Sequence, residues 1–533
     1  MKKAIIAFTL ALLLTPLAGL HAADATKPAG TPNVVFILAD DLGWRDVGCF
    51  GSTFYETPNI DRLATRGVRF TQAYAASPLC SPTRASILTG QYPARIGITA
   101  PNCHLPQVQL EKRLAKGNAN MKALNADSLT RLKPDYVTLA AAMHEAGYAT
   151  AHFGKWHLGF NLPQNKDDHY EPRDRGFDVD FPHTPRVAGP DGGYLAPWKF
   201  INSPPLAAKP GEHIEDRMSA EAAKFIRAHK GRPFYLNYWA YSVHGPWNAR
   251  RDYIEYFKSK ADAKNPQHNP LYAAMVRSLD DGVGNLLAAI DETGIADRTI
   301  IVFFSDNGGW AFPPKTTDPE GFENMPATSN LPLRSGKASL YEGGTREPCV
   351  IVWPGHTKPG TSSDALLSSV DWYPTLLAMC GIKARAGVKL DGLDQTPTLL
   401  GHGAVRDRVF CHFPHGSPNQ AASIPGFLPG TYVRRGDWKL IRFFADSDDG
   451  SDRFELYNLK DDIGESRNVA ANNPELVREL NGLITGFLHD TEAVIPTHNP
   501  AYRRTIATAA DPHYGWARRK QLTNRTNIES ASH

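Results

Sequence analysis

One short stretch of the chain places a cysteine, hydroxyls, a proline and an arginine at spacings that bear on anion chemistry: Cys80-Ser81-Pro82-Thr83-Arg84, followed by Leu88-Thr89-Gly90. Pro82 suits a first helical position, which puts Cys80 at the mouth of a helix whose free N–H groups favour an anion. Arg84, one turn in, adds a planar fork matched to sulfate or phosphate oxygens. Alone, a cysteine ahead of a helix is more often a buried structural residue, so its neighbours in chemistry decide the reading. Asp40-Asp41 and Asp306-Asn307 offer three carboxylates and an amide. These are hard oxygen donors suited to Ca²⁺ or Mg²⁺, and no Cys/His cluster at zinc spacing competes with them. Gly154-Lys155-Trp156-His157, His244 and Lys337 add groups able to hold an anion or move a proton. A lone histidine or lysine is more often structural, so the weight of these residues rests on where the chain delivers them.

It delivers most of them at the ends of apolar runs. Asn33 to Leu38 (NVVFIL) leads into Asp40-Asp41, and Thr299 to Phe304 (TIIVFF) into Asp306-Asn307. A helix-like segment from Tyr136 to Glu145 closes at Gly147 and passes through Ala149 to Phe153 into Gly154-Lys155-Trp156-His157. Pro233 to Trp239 (PFYLNYW) ends just before Ser242-Val243-His244. Strands alternating with helices up to about Leu400 predict an α/β fold, a large mixed, mostly parallel sheet sandwiched by helices. Ligands bind at the carboxyl ends of the strands in such sheets, so four polar strand ends predict one shared site. Residues 101–135 and 311–332 read as surface insertions that shape access to it.

The 533 residues exceed the ~250–300 at which a single core stops growing, which predicts a second unit. Residues 30–400 form the expected catalytic domain and residues 401–533 a smaller C-terminal α+β domain. In the latter, Tyr432 to Phe444 and Arg453 to Leu459 pattern as antiparallel strands and Pro474 to Leu488 as an amphipathic helix. Met1-Lys2-Lys3, an apolar stretch from Ala4 to Leu20 and small residues near Ala22 have the layout of a cleaved secretory signal over residues 1–22, against an uncleaved anchor. The protein is then periplasmic or secreted, with no stable membrane insertion. Without Lys2 and Lys3, 56 basic residues face 55 acidic ones, and no basic block points to nucleic acid. An anionic substrate must therefore meet a local basic site. Six cysteines in so long a chain are not a disulfide scaffold, and zero to two bridges are expected.

The string from Cys80 to Gly90 resembles the signature of the type I, formylglycine-dependent sulfatases, an arylsulfatase-like family of the alkaline phosphatase superfamily. The resemblance runs from about Asn33 to Glu465. It takes in Asp40-Asp41, Gly154-Lys155-Trp156-His157, His244, Asp306-Asn307-Gly308, Gly336-Lys337 and Tyr341-Glu342-Gly343-Gly344-Thr345-Arg346, with Thr83 where many members carry Ser. It implies that a maturation enzyme converts Cys80 to formylglycine (3-oxoalanine), and that one Ca²⁺ sits on Asp40, Asp41, Asp306, Asn307 and residue 80. The hydrated aldehyde then offers two hydroxyls, one to attack sulfur and one to expel sulfate after the alcohol has left. By the same resemblance Arg84 and Lys155 hold the hydrate and the sulfate, and His157 assists the hydroxyls. His244 and Lys337 face the leaving oxygen, with His244 as general acid.

The function implied is a sulfuric ester hydrolase acting on sulfated carbohydrate, such as galactose or N-acetylgalactosamine units of a glycan. The alternatives are a phosphonate or phosphodiester hydrolase of the same superfamily, and a secreted calcium- and glycan-binding protein whose Cys80 is never converted. His412-Phe413-Pro414-His415 stands between a sugar contact and a packed interdomain loop, and Trp310, Trp247 and Tyr241 between sugar stacking and core.

Overall fold

The computed structural model describes residues 30–503 apart from 163, 166, 184–187, 201–207, 313–324, 417–420 and 422. The expected signal segment and most of the tail lie outside the described residues. The large sheet is formed by β1 (Asn33–Ala39), β2 (Val68–Tyr74), β3 (Ala149–Gly154), β4 (Val179–Phe181), β5 (Phe234–Trp239), β6 (Thr299–Ser305), β7 (Arg346–Val352), β8 (Thr361–Ser363) and β9 (Leu367–Ser368). Its order is β8-β2-β7-β6-β1-β5-β3-β4, with β9 also on β2. β7 runs antiparallel to both β2 and β6, and the other pairings are parallel.

Central strands of a parallel sheet are covered on both faces, which is why β1 and β6 are buried along their whole length and apolar from Val34 to Ala39 and from Ile300 to Phe304. Val35 and Ile37 point into a core shared with α1 (Pro58–Arg66). Val34, Phe36 and Leu38 point into the opposite core, formed with α2 (Cys80–Thr89) and α3 (Leu139–Glu145). The first core also takes α4 (Ile214–Ala228) and α5 (Pro270–Glu292), and the second takes α6 (Trp372–Met379). Each fully buried large apolar side chain contributes about 1.5–3 kcal/mol, so the two cores hold the sheet rigid beneath its loops. The helix expected from Tyr136 starts only at Leu139. The Thr138 side chain accepts the N–H of Ala141 at 3.1 Å and caps it there.

The second sheet is an antiparallel meander of β10 (Arg408–Phe413), β11 (Gly430–Arg435), β12 (Trp438–Phe443) and β13 (Arg453–Asn458), backed by α7 (Pro474–Asp490). It is not an independent appendage. Tyr432, Ile441 and Phe443 share a core with Tyr74, Leu79 and Leu340, which flank β2, α2 and Lys337. Buried Lys439 ties the two sheets, reaching Glu342 and Glu465 at 2.9 Å each. The 101–135 insertion is strapped rather than loose: Ala123–Leu124 pairs with Thr497–His498, and Ala126 N–H donates to Pro414 O at 3.0 Å. The six cysteines form no disulfide. Among the described residues no helix is long and apolar enough to cross a membrane.

Candidate active site

The register of the large sheet assembles the site. Ala39 lies opposite Ser305, Leu38 opposite Trp239, and Trp239 opposite Gly154, so β1, β6, β5 and β3 end level with one another. Asp306 N–H donates to Ala39 O at 3.1 Å, Asp40 N–H to Ser242 O at 3.0 Å, and Lys155 N–H to Trp239 O at 2.8 Å. These bonds carry the ladder one residue past each strand and fix where the polar side chains emerge. At Gly154, with φ of 109°, a Cβ would lie 2.0 Å from Trp239 O, so only glycine lets β3 turn there. Asp41 and His157 take left-handed backbone, with φ of 64° and 55°. Such conformations cost of order 1–3 kcal/mol in a non-glycine residue and persist only where the surroundings hold them.

Three carboxylates and three cations meet in this pocket. Lys155 Nζ lies 2.5 Å from Asp40 Oδ2, and Lys337 Nζ lies 2.6 Å from Asp41 Oδ1. Arg84 donates from Nε to Asp306 Oδ2 at 2.8 Å and from Nη1 to Lys155 O at 2.8 Å, while its Nη2 lies 2.7 Å from Asp306 Oδ2. The guanidinium thus pairs with Asp306 and the Lys155 backbone, while Nη2 makes no hydrogen bond and also lies 3.8 Å from Asp40 Oδ2. Asn307 Nδ2 donates to Asp41 Oδ1 at 2.8 Å. Asp40, Asp306 and Asn307 are fully buried. Asp40 Oδ1 and Asn307 Oδ1 have no hydrogen-bond partner, an arrangement that fits a hard cation drawing on the free oxygens. A ligand atom each from Asp40, Asp41 and His244 lies within 4.8 Å of the others.

Cys80 opens α2, every residue of which is buried, with Pro82 third in the helix rather than first. Its Sγ lies 3.4 Å from His157 Nδ1, and Ser81 Oγ donates to His157 O at 2.7 Å. Lys337 comes in from the loop before Tyr341, anchored by Lys337 N–H to Gly309 O at 3.1 Å. His244 turns its Nε2 to Asp41 Oδ2 at 3.8 Å, while its Nδ1 contacts Gly245 O. Every residue singled out from sequence for metal or catalysis thus stands in one pocket.

The electrostatics follow from burial. Desolvation opposes ionisation of Asp41, but Lys337 and Lys155 outweigh it and hold the carboxyl well below the usual range. Burial and the Asp40 charge push Asp306 up to about 6 against the pull of Arg84. Burial, then Lys337 and Lys155, push His244 down to about 3, so its imidazole is neutral in the resting site. Burial, helped by Lys155 and His104, likewise holds His157 well below the ordinary histidine value. Burial raises the Cys80 thiol, so Cys80 as a plain cysteine is not an activated thiolate.

His104 is the residue sequence reasoning missed: its Nδ1 lies 3.0 Å from His157 Nε2. It comes from the 101–135 insertion, where no strand end or motif marks it. His412 and His415 lie at the interdomain joint. Burial pushes them to about 3 and 4; His412 contacts Thr431 Oγ1 at 2.7 Å and His415 contacts Thr99 Oγ1 at 2.8 Å. Tyr241 is fully buried and cannot stack on a sugar, whereas Trp247 and Trp310 are only partly buried.

Residues 32–382 match the family model described as Sulfatase, and residues 335–486 that of the N-sulphoglucosamine sulphohydrolase C-terminal region. The chain is 33% identical to N-acetylgalactosamine-6-sulfatase of Rattus norvegicus, over 80% of this chain and 75% of the relative. It is 32% identical to arylsulfatase A of Homo sapiens over 89% of each. Among solved structures, that of Ps i-CgsB in complex with k-i-k-neocarrahexaose superposes with a TM-score of 0.67 at 26% identity, covering 90% of this chain and 96% of that one.

Proposed function

The chain belongs to the sulfatase family and hydrolyses sulfate esters, and from that premise we propose that it removes sulfate from a sulfated carbohydrate, with residue 80 converted to formylglycine and one calcium ion at Asp40, Asp41, Asp306, Asn307 and residue 80. The observation that carries this reading is the meeting of those four oxygen donors with Cys80, with Asp40 Oδ1 and Asn307 Oδ1 left without partners. Bound there, calcium supplies a fixed positive charge and the formylglycine hydrate supplies a nucleophilic hydroxyl.

The chain's own side chains then do the positioning. Lys155 and Lys337, already paired with Asp40 and Asp41, present ammonium groups to the sulfate oxygens. Arg84 keeps Asp306 in place and balances its charge. His157, with Nδ1 toward residue 80, receives a proton from the hydroxyl. His244 and Lys337 stand at the leaving oxygen. Burial and two nearby ammonium groups depress His244; the sulfate charge offsets the ammonium groups and favours a proton on its Nε2, which the departing sugar alkoxide needs.

The carbohydrate part is supported by relatives named for action on sulfated sugars, N-acetylgalactosamine-6-sulfatase among them. Secretion after cleavage near Ala22, followed by action of a maturation enzyme on Cys80, completes the proposal. The test is a panel of sulfated mono- and oligosaccharides, an aryl sulfate and a phosphate diester, run with intact-mass analysis. The expected result is sulfate release from a sugar and a mass about 18 Da below that of the unmodified chain. An unshifted mass with no sulfate release from any sugar overturns the reading.

A further inference from the structure

The mechanism just given uses His157 and leaves His104 without a task. Yet the backbone on both sides of His104 is pinned. Fully buried Arg131 donates from Nη1 to the carbonyls on both sides of His104, Cys103 O at 3.4 Å and Leu105 O at 3.0 Å. The same guanidinium donates from Nε to Phe160 O at 3.2 Å and lies 4.2 Å from the centre of the Phe160 ring. Leu132 N–H donates to Leu158 O at 2.8 Å. Gly159 passes so close that a Cβ there would sit 2.5 Å from Arg131 Cδ. One buried arginine therefore locks the His104 loop to the loop that carries Lys155 and His157. The imidazoles are brought to 5.2 Å between centroids at a 37° tilt, with Nδ1 of His104 3.0 Å from Nε2 of His157.

We infer that His104 is a positioning residue: it accepts the Nε2–H of His157 and so sets the tautomer whose Nδ1 lone pair faces residue 80. A neutral imidazole has one N–H and one lone pair, so an acceptor fixed at one nitrogen decides what the other presents. His157 has residue 80 at Nδ1 and His104 at Nε2. With the hydrogen on Nε2, Nδ1 can receive a proton from residue 80. With it on Nδ1, the pocket would face its nucleophile with a donor. A carboxylate usually does this work for a catalytic histidine. A neutral imidazole adds no negative charge beside the ammonium of Lys155, so the electrostatic pull on the sulfate is undiminished.

This inference rests on the role proposed above for His157, and its test has a readout that does not depend on turnover. In protein labelled with ¹⁵N at the histidine rings, the His157 signals are identified by their loss in His157→Gln. The wild type is expected to show a protonated Nε2 and a bare Nδ1. His104→Leu is expected to populate both tautomers, and His104→Asn, whose amide oxygen can fall near the Nδ1 position, to restore the single one. In turnover of an aryl sulfate, His104→Leu should lower kcat by about 10–100-fold, the usual cost of losing a group that orients a histidine, with KM nearly unchanged. His104→Asn should recover most of that loss, and His104→Leu should add nothing in a His157→Gln background. A single unchanged tautomer in His104→Leu, equal losses in the Leu and Asn variants, or a loss carried by KM would overturn the inference. Full activity in His157→Gln, with the expected tautomers still seen in wild type and His104→Leu, would remove the proton role of His157 and leave the positioning contact standing.

Discussion

At the scale of single residues, the pocket is a balance of three carboxylates against Lys155, Lys337 and Arg84, all of them buried. Cys80 takes no part in that balance. Cys80→Ala should therefore abolish sulfate release while costing only about 1 kcal/mol of stability, because one small buried atom is lost and no charge is orphaned. Thermal melting beside a sulfate-release assay checks both halves. Asp306→Ala has the opposite character: it removes an oxygen donor and leaves buried Arg84 with only Asp40, at 3.8 Å, as a carboxylate partner. Calcium added at 100 times its Kd should stabilise the wild type by about 2.7 kcal/mol through mass action. It should leave the mutant's melting temperature nearly unmoved, and chelation should silence the wild type. His244→Ala separates proton donation from sulfate binding. The loss of kcat/KM should reach roughly 10²–10⁴-fold on a sugar sulfate, whose alkoxide needs a proton, and be far smaller on a nitrophenyl sulfate. Equal losses on the two would move the donor role to Lys337, whose ammonium already stands at Asp41.

At the scale of elements, the site depends on turns that admit no side chain. Beyond β6, a Cβ on Gly308 would sit 1.8 Å from Gly343 O, where the chain entering β7 crosses the strand end that carries Asp306 and Asn307. Gly308→Ala must push the two segments apart. It should cost about 1–3 kcal/mol, the usual penalty for overpacking, and lower activity more than stability, because the displaced backbone carries two of the oxygen donors. Comparing the chemical-denaturation midpoint with kcat/KM reads the two effects separately. A mutant with full activity would show that the strand end gives way without moving Asp306.

At the scale of the whole molecule, Lys439 of the second sheet is the tie, with no side-chain exposure and carboxylates on both sides. Removing it leaves Glu342 and Glu465 buried without the cation that lies between them. Lys439→Met should destabilise the protein by about 3–5 kcal/mol and disturb the Tyr341–Arg346 turn beside Lys337. Glu342 also has Arg434 and Arg346 near it and stays ionised, held down to about 2 although burial opposes this. Burial raises Glu465 to about 7 from an ordinary 4.5, with the Glu342 charge adding to the effect against Lys439. A carboxyl whose folded-state value is raised stabilises the fold below its unfolded value and loses that contribution as pH climbs through the folded one. The Glu465 contribution to stability should therefore fall from about pH 4.5 to 7, and Glu465→Gln should remove that component of the slope in denaturant titrations.

The strands, their order of appearance and the residues at their ends were legible in the sequence because a buried parallel strand must be apolar throughout and its charges can emerge only at its ends. NVVFIL before Asp40-Asp41 and TIIVFF before Asp306-Asn307 are local patterns, and one sheet edge is the place where both can end. What the chain alone left open were the contacts that depend on residues far apart in it. The pairing of Arg84 with Asp306, the Lys439 tie, and the burial of His412 at the joint are of this kind. His104 is the clearest case. Its loop has no periodicity and no strand beside it, and it reaches His157 only because Arg131, itself in that insertion, spends its donors on the carbonyls of both loops. Secondary structure is written in neighbours along the chain, whereas a histidine's tautomer is set by whichever atom the finished fold brings to its second nitrogen.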